Sequence, residues 1–215
     1  MSELLLPSVR LPRWVENFGT RHGGCELSVR DGALTGLGAD GSTFEARLPF
    51  DRAYDALPDA ADFVEACWPP SQWGVLLVRK GGFAVARLER SYIVESKVGQ
   101  RHVQGRTKAG GQSQQRFARR RDNQARQAYE AATGHAVRIL GSFEDRLRST
   151  QGAPDIALVT GGDHEAVAAV LDDSRLRMLA QQVVEPFLPV PDPRRSVLES
   201  AIADAGSVRM SVVNT

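Results

Sequence analysis

Gly110-Gly111-Gln112-Ser113 runs directly into Gln114-Gln115-Arg116-Phe117-Ala118-Arg119-Arg120-Arg121. Two adjacent glycines free the backbone from the Cβ restriction, so it can take φ > 0 and approach another molecule closely. Gln112 then carries a side-chain amide at the tip of the loop, and a basic run follows it. No histidine, carboxylate or activated serine lies close in sequence to Gln112, so covalent hydrolysis has no players nearby. What the loop offers is one backbone N–H aimed by the glycines and one amide group. The first can stabilise the oxyanion of a tetrahedral intermediate, and the second can position water.

The charge around this loop is one-sided. Residues 97–126 hold Lys97, Arg101, Arg106, Lys108, Arg116, Arg119, Arg120, Arg121 and Arg126 against the single acid Asp122, while the whole 215-residue chain carries a net charge of only +1. A merely solvated helix face mixes signs for i,i+4 pairing, and this one hardly does. The clustering is the electrostatic footprint of a polyanion-binding surface. Arginine suits phosphate because its planar fork can engage two oxygens. Arg101, Arg106, Lys108, Arg116, Arg119, Arg120 and Arg126 are therefore the candidate RNA contacts.

Other residues carry less chemistry. Gly161-Gly162-Asp163 lacks the spacing of a dinucleotide or P-loop motif and reads as a strand-to-helix turn with Asp163 as N-cap. His22, His102, His135 and His164 show no metal-ligand spacing among themselves or with the cysteines, so no structural zinc, other metal or cofactor is expected. His102 lies in the basic approach to the loop. Asp155, Asp163 and Glu165 are the tight acidic candidates for a Mg²⁺-dependent, RNase-H-like nuclease, which a sheet-plus-helix layout alone would suggest. Trp14, Trp68 and Trp73 read as core or interface anchors. Two cysteines, Cys25 and Cys67, are too few for a disulfide scaffold and favour a reducing cytoplasm, with Cys67 buried and inert. The N-terminus lacks the basic start and long apolar stretch of a secretory signal, and no apolar run reaches the roughly 20 residues a bilayer requires, so no membrane partner is expected.

The elements that would position the loop can be read coarsely. Residues 24–50 alternate in short segments broken by Asp31-Gly32 and Asp40-Gly41, which reads as hairpins. Residues 59–68 read as a short helix, and Pro69-Pro70-Ser71 as a boundary. Residues 73–87 form two apolar strands joined through Arg79-Lys80-Gly81-Gly82, and a third strand at 91–98 leads into the polar loop 99–111. Ser113 is the expected N-cap of a helix ending near Thr133, with Gly134 as its stop. On it Phe117, Ala125, Ala128, Tyr129 and Ala132 share one arc; Arg116, Arg119, Arg120 and Arg126 share the opposite one, and Arg121 lies nearer the apolar side. A strand at 156–160, helices at 164–171 and 173–184, a rigid 186–193 connection, a last helix and a strand at 207–213 complete the chain. The expected fold is α/β, a mixed sheet with packed helices, preceded by a small β-rich region. The expected domains are residues 1–68 and a catalytic domain at 69–215.

The string Gly-Gly-Gln-Ser-x-x-Arg-Phe-Ala-Arg-x-Arg resembles the catalytic loop and following helix of class I translation termination factors of eukaryotes and archaea. The likeness extends to Trp73-Gly74-Val75-Leu76-Leu77-Val78, to Phe83-Ala84-Val85-Ala86-Arg87-Leu88, to the approach Gln104-Gly105-Arg106-Thr107-Lys108-Ala109, and to Ile156-Ala157-Leu158-Val159-Thr160-Gly161-Gly162. It covers about residues 70–205 and does not extend to a codon-reading domain or a third domain, for which no room is expected in the chain. That truncation is similar to the Vms-like release factors, peptidyl-tRNA hydrolases that rescue stalled ribosomes. Eukaryotic members of that group carry Gly-x-x-Gln, a register that leads from Gly111 to Gln114.

The resemblance implies a middle-domain-like fold and hydrolysis of the ester joining a nascent peptide to tRNA, without codon recognition. The partners it implies are the peptidyl transferase centre of the large subunit and peptidyl-tRNA. It implies that Gly110 and Gly111 set the backbone, with Gln112 as the catalytic tip and Gln114 as the alternative. The runner-up is a non-catalytic module that inserts the same loop and basic helix into a ribosomal or tRNA groove.

Overall fold

The computed structural model describes residues 2–100, 112–149 and 155–215, with side chains described except at 100 and 112–128. The described residues form two five-stranded sheets, one in each of two compact units: Met1–Pro69 with Ile202–Thr215, and Pro70–Ala201.

The unit Pro70–Ala201 holds a mixed sheet. Strands β5 (Gln72–Arg79), β6 (Gly82–Glu89) and β7 (Tyr92–Gln100) form an antiparallel meander, while β8 (Ile156–Gly162) and β9 (Val183–Leu188) run parallel to β5, in the order β7-β6-β5-β8-β9. The central strand β5 is apolar without alternation and buried from Trp73 to Val78, as a strand covered on both faces must be. The β5–β6 turn needs little more than Lys80 and Gly81; a Cβ on Gly81 would stand 2.7 Å from Asp192 Oδ2.

Helix α3 (Gln112–Ser149) is 38 residues long, about 57 Å at 1.5 Å per residue. It does not stop at Gly134 as its sequence suggested. Ala132, Ala136, Ile139, Leu140, Phe143 and Leu147 are all buried in one cluster with Leu76, Val78, Phe83, Val85 and Leu158. That apolar stripe continues the 3.6-residue period straight through the glycine. Packing outweighs the roughly 1 kcal/mol that a glycine costs relative to alanine inside a helix. Gly74 lets the helix approach, since a Cβ there would meet Leu140 Cδ2 at 2.9 Å.

The second half of the unit departs from expectation after α4 (His164–Leu171). Asp163 caps α4, its Oδ1 accepting the Glu165 N–H at 3.1 Å. Gly162 precedes it at φ +104°, where a Cβ would overlap the Val78 carbonyl oxygen. The expected helix over 173–184 is instead a 3-10 turn at Ser174–Leu176, the four-residue α5 (Arg177–Ala180) and strand β9. The β-branched pair Val183-Val184 extends beside Leu158 and Val159, and Pro186 is tolerated because β9 is an edge strand.

The other unit is antiparallel, β1 (Ser2–Leu6), β10 (Val208–Val213), β4 (Thr43–Arg47), β3 (Ala33–Gly38) and β2 (Cys25–Arg30) in that order. One face packs on α1 (Leu11–Arg21) and α2 (Ala60–Ala66). Trp14, Phe18 and Phe44 meet there with ring centroids 5.0–5.5 Å apart. The expected domain at 69–215 is corrected at its C-terminal end, because β10 inserts between β1 and β4 and returns residues 202–215 to the first unit. The division falls within α6 (Arg195–Ala205).

The expected tryptophan anchors also divide. Trp73 is buried with its Nε1 donating to Arg90 O at 2.7 Å, and Trp14 packs in the aromatic cluster. Trp68 is 58% exposed and anchors nothing in the core. Cys67 is buried, its Sγ is 3.3 Å from Phe63 O, and desolvation pushes its thiol up to about 12.

Candidate functional site

The glycine–glutamine segment joins the end of β7 to the start of α3. Gly110, Gly111, Arg101, Arg106 and Lys108 lie outside the described residues, as does His102. Gln112 is the first residue of α3, and Gln114, Arg116, Arg119, Arg120 and Arg126 follow within the same helix. These backbone positions can be compared with the packed stripe through the helical period. At about 100° per residue, Gln112, Arg116, Arg119, Arg120 and Arg126 fall within one arc of about 120°. Ala132, Ala136, Ile139, Leu140, Phe143 and Leu147 are buried, and they occupy an arc centred about 140° away from the first. Gln114 and Arg121 share the angular range of the buried stripe. Gln112 therefore keeps company with the arginines, and Gln114 with the packing positions.

The scaffold beneath this arm is rigid in chemical terms. Twenty residues separate Gln112 from Ala132, about 30 Å along the axis. From Ala132 onward the helix is locked by its buried stripe and by Glu144, which is only 3% exposed. Glu144 Oε1 accepts the Leu179 N–H at 2.8 Å, and Arg148 Nη2 stands 3.6 Å from Oε2. The carboxylate thus ties α3 to α5. Sequence reading missed Glu144 because it stopped the helix at Gly134; the signal was the apolar spacing 132, 136, 139, 140, 143, 147, which continues past the glycine.

The first turn of α3 carries no acidic residue. A helix start exposes unpaired N–H groups and the positive end of the helix dipole. Nothing in that turn neutralises it, so the electrostatics at Gln112 favour a negatively charged neighbour.

The other candidates have structural partners. Asp155 Oδ2 accepts the Ser71 N–H at 2.7 Å, and Asp163 is the α4 cap. The His164 ring stacks on Phe187 at 3.6 Å between centroids, and His22 Nδ1 is paired with Asp40 at 2.8 Å. Among the described residues no three histidine, cysteine, aspartate or glutamate side chains come together as a metal site, and no helix is long and apolar enough to cross a membrane.

Comparison with known protein families decides what kind of scaffold this is. Residues 71–211 match the Actinobacteria/chloroflexi VLRF1 release factor family. The chain belongs to that family. The matched span contains the meander, the glycine–glutamine segment, α3 and β8. No curated protein matches the sequence. Among solved structures, an archaeal translation termination factor, aRF1, aligns at 12% identity with a TM-score of 0.43, covering 79% of this chain and 48% of that one. A second, described as an archaeal protein, aligns at 9% identity with a TM-score of 0.39, covering 79% and 50%. The chain spans about half the length of those structures.

Proposed function

We propose that this VLRF1-family chain is a peptidyl-tRNA hydrolase that releases nascent peptides from stalled ribosomes or large subunits without reading a codon. The observation that carries the reading is that Gln112, which follows Gly110-Gly111 in the sequence, opens a 38-residue helix in a chain of a release-factor family. The packed half of α3 anchors the arm. The arginine arc at 116, 119, 120 and 126 grips rRNA or tRNA phosphates. The glycines let the tip enter the peptidyl transferase centre.

In this mechanism a water oxygen attacks the ester carbonyl carbon, and its negative charge collects on the carbonyl oxygen. A backbone N–H at the glycine–glutamine tip stabilises that oxyanion, helped by the unneutralised start of α3. The Gln112 amide positions the water. The carbon–oxygen bond to the terminal ribose then breaks, the ribose oxygen takes a proton, and the peptide leaves with a free carboxyl group. The ribosomal centre supplies the surrounding groups.

The test is peptide release from large subunits loaded with peptidyl-tRNA. Gln112→Ala should reduce the rate on the order of 10²–10³-fold, the scale of losing one preorganised donor, while subunit binding and melting temperature stay unchanged. Gln114→Ala should retain most activity. Loss confined to Gln114→Ala would move the catalytic role to the Gly-x-x-Gln register. Binding without release in the wild-type protein would make the chain a non-catalytic module, and inhibition by EDTA would revive the nuclease-like reading.

A further inference from the structure

The basic run that precedes the loop begins with Lys97, on the described part of β7. Glu95, Lys97 and Gly99 point to one face of the sheet, toward α3, since Glu95 pairs with Arg138 of that helix. Gly99 has a specific purpose there. It sits opposite Phe83 in the β6–β7 ladder, and a Cβ on it would overlap the Phe83 ring. Spared that clash, Phe83 lies flat against the His135 ring, with centroids 5.3 Å apart and planes 26° apart. Gly99, Phe83 and His135 thus form a stack that fixes the imidazole beside Lys97 and Arg138.

We propose that Lys97, His135 and Arg138 form a second RNA-backbone contact, on the packed root of α3, with His135 and Arg138 about 35–39 Å along the helix from Gln112. Three observations support it. Lys97 and Arg138 are exposed, and His135 is half-buried between sheet and helix. Among the described residues Glu95 pairs with Arg138, and no carboxylate is paired with Lys97; Arg87, opposite Glu95 on β6, is taken by Glu89 at 3.4 Å. The His135 ring is held below the ordinary histidine range, first by desolvation and then by the charges of Lys97 and Arg138, so the local field is positive. A phosphate seated between the lysine and arginine would reverse that field and accept a hydrogen bond from the imidazolium.

The site deepens the proposed function and rests on it for the identity of the ligand. It gives the arm two points of attachment. Phosphates on the arginine arc orient the tip, and a phosphate at the root fixes the distance between body and target. Two contacts on one rigid element bind with the advantage of effective concentration, because the second forms within an already tethered complex.

The experiment follows His135 in the full chain by NMR of histidine labelled in the ring, titrated with pH alone and with a tRNA acceptor-stem duplex at saturation. The expected result is an upward shift of the His135 midpoint when the duplex is bound, and no shift for His22. In parallel, Lys97→Gln with Arg138→Gln should lower the log–log salt slope of binding to tRNA or to purified large subunits by roughly 1.4 to 1.8, the value for two lost phosphate contacts. The tRNA and large-subunit arms identify which RNA supplies the phosphate. An unmoved His135 midpoint together with an unchanged slope overturns the proposal. Peptide release is scored separately: a responding patch without release would refute the hydrolase reading alone, and release with a silent patch would refute the patch alone.

Discussion

Inserting residues between Gln127 and Ala128 tests whether α3 acts as a rod that sets both the direction and the reach of Gln112. The buried stripe from Ala132 to Leu147 lies C-terminal to the insertion and stays in register with the sheet. Everything N-terminal turns and advances. One added alanine rotates the arm by about 100° and lengthens it by about 1.5 Å; at a Cα radius of about 2.3 Å each position shifts sideways by about 3.5 Å. That swings the Gln112–Arg116–Arg119–Arg126 arc away from its original direction. A misplacement of about 1 Å can cost on the order of 10²-fold in rate, so release should fall at least that far, with the salt slope of subunit binding falling too. Seven added residues behave differently. They rotate the arm by only about 20° but extend it by about 10.5 Å. The arginine arc keeps its direction, so RNA binding should survive while release is lost through overreach. The assays are peptide release from loaded large subunits, binding across a salt series, and melting temperature as the folding control. Wild-type release by the one-residue insertion at an unchanged melting temperature would refute the rod, because orientation would then not be transmitted through α3.

Two further substitutions probe the scaffold. Gly162→Ala should destabilise the protein by about 1–3 kcal/mol, read as a lower melting temperature, because φ +104° and the Val78 carbonyl both exclude a Cβ. Gly134→Ala should do the reverse: nothing lies within 4 Å of a Cβ there, so removing a helical glycine should add about 1 kcal/mol, or about 2–4 °C. A fall in melting temperature for Gly134→Ala would show that the glycine serves a bend rather than filling a neutral position.

The meander, β8 and α4 were legible because their signals are local. Continuous apolar runs, a glycine turn and an aspartate cap each need only neighbours in sequence. The errors share one physical cause. Gly134 is a good local stop, and 173–184 has a helix-like composition, but both are overruled by partners distant in sequence. The stripe 132–147 packs on Leu76, Val85 and Leu158, and Val183-Val184 find a parallel edge beside Leu158 and Val159. The return of β10 to the first sheet rests on pairing between residues about 200 apart, such as Leu4 with Met210, which no local pattern encodes. At the site, the motif and its charge were readable, whereas the Glu144 tie and the Phe83–His135 stack depend on tertiary geometry.

The sequence of the arm poses an electrostatic problem that its attachment helps to solve. Arg116 and Arg120 stand i,i+4, Arg116 and Arg119 i,i+3, and Asp122 is the sole acid from 112 to 128. Like charges at these spacings each destabilise a helix by a few tenths of a kcal/mol, and a free helix of this length is marginal in water. The unfavourable step is nucleation, and in α3 the buried stripe has already supplied it. The arm then needs only propagation, for which its alanines, glutamines and arginines are good residues. In the proposed function, phosphates drawn to the arginine arc cancel the remaining repulsion. On that reading, binding of RNA and helicity of the arm are linked, each favouring the other by the same free energy. In the proposed function this linkage has direction. Away from RNA the arm carries one-sided charge, and on RNA that charge would hold it straight, so Gln112 would be placed most firmly where its proposed substrate is.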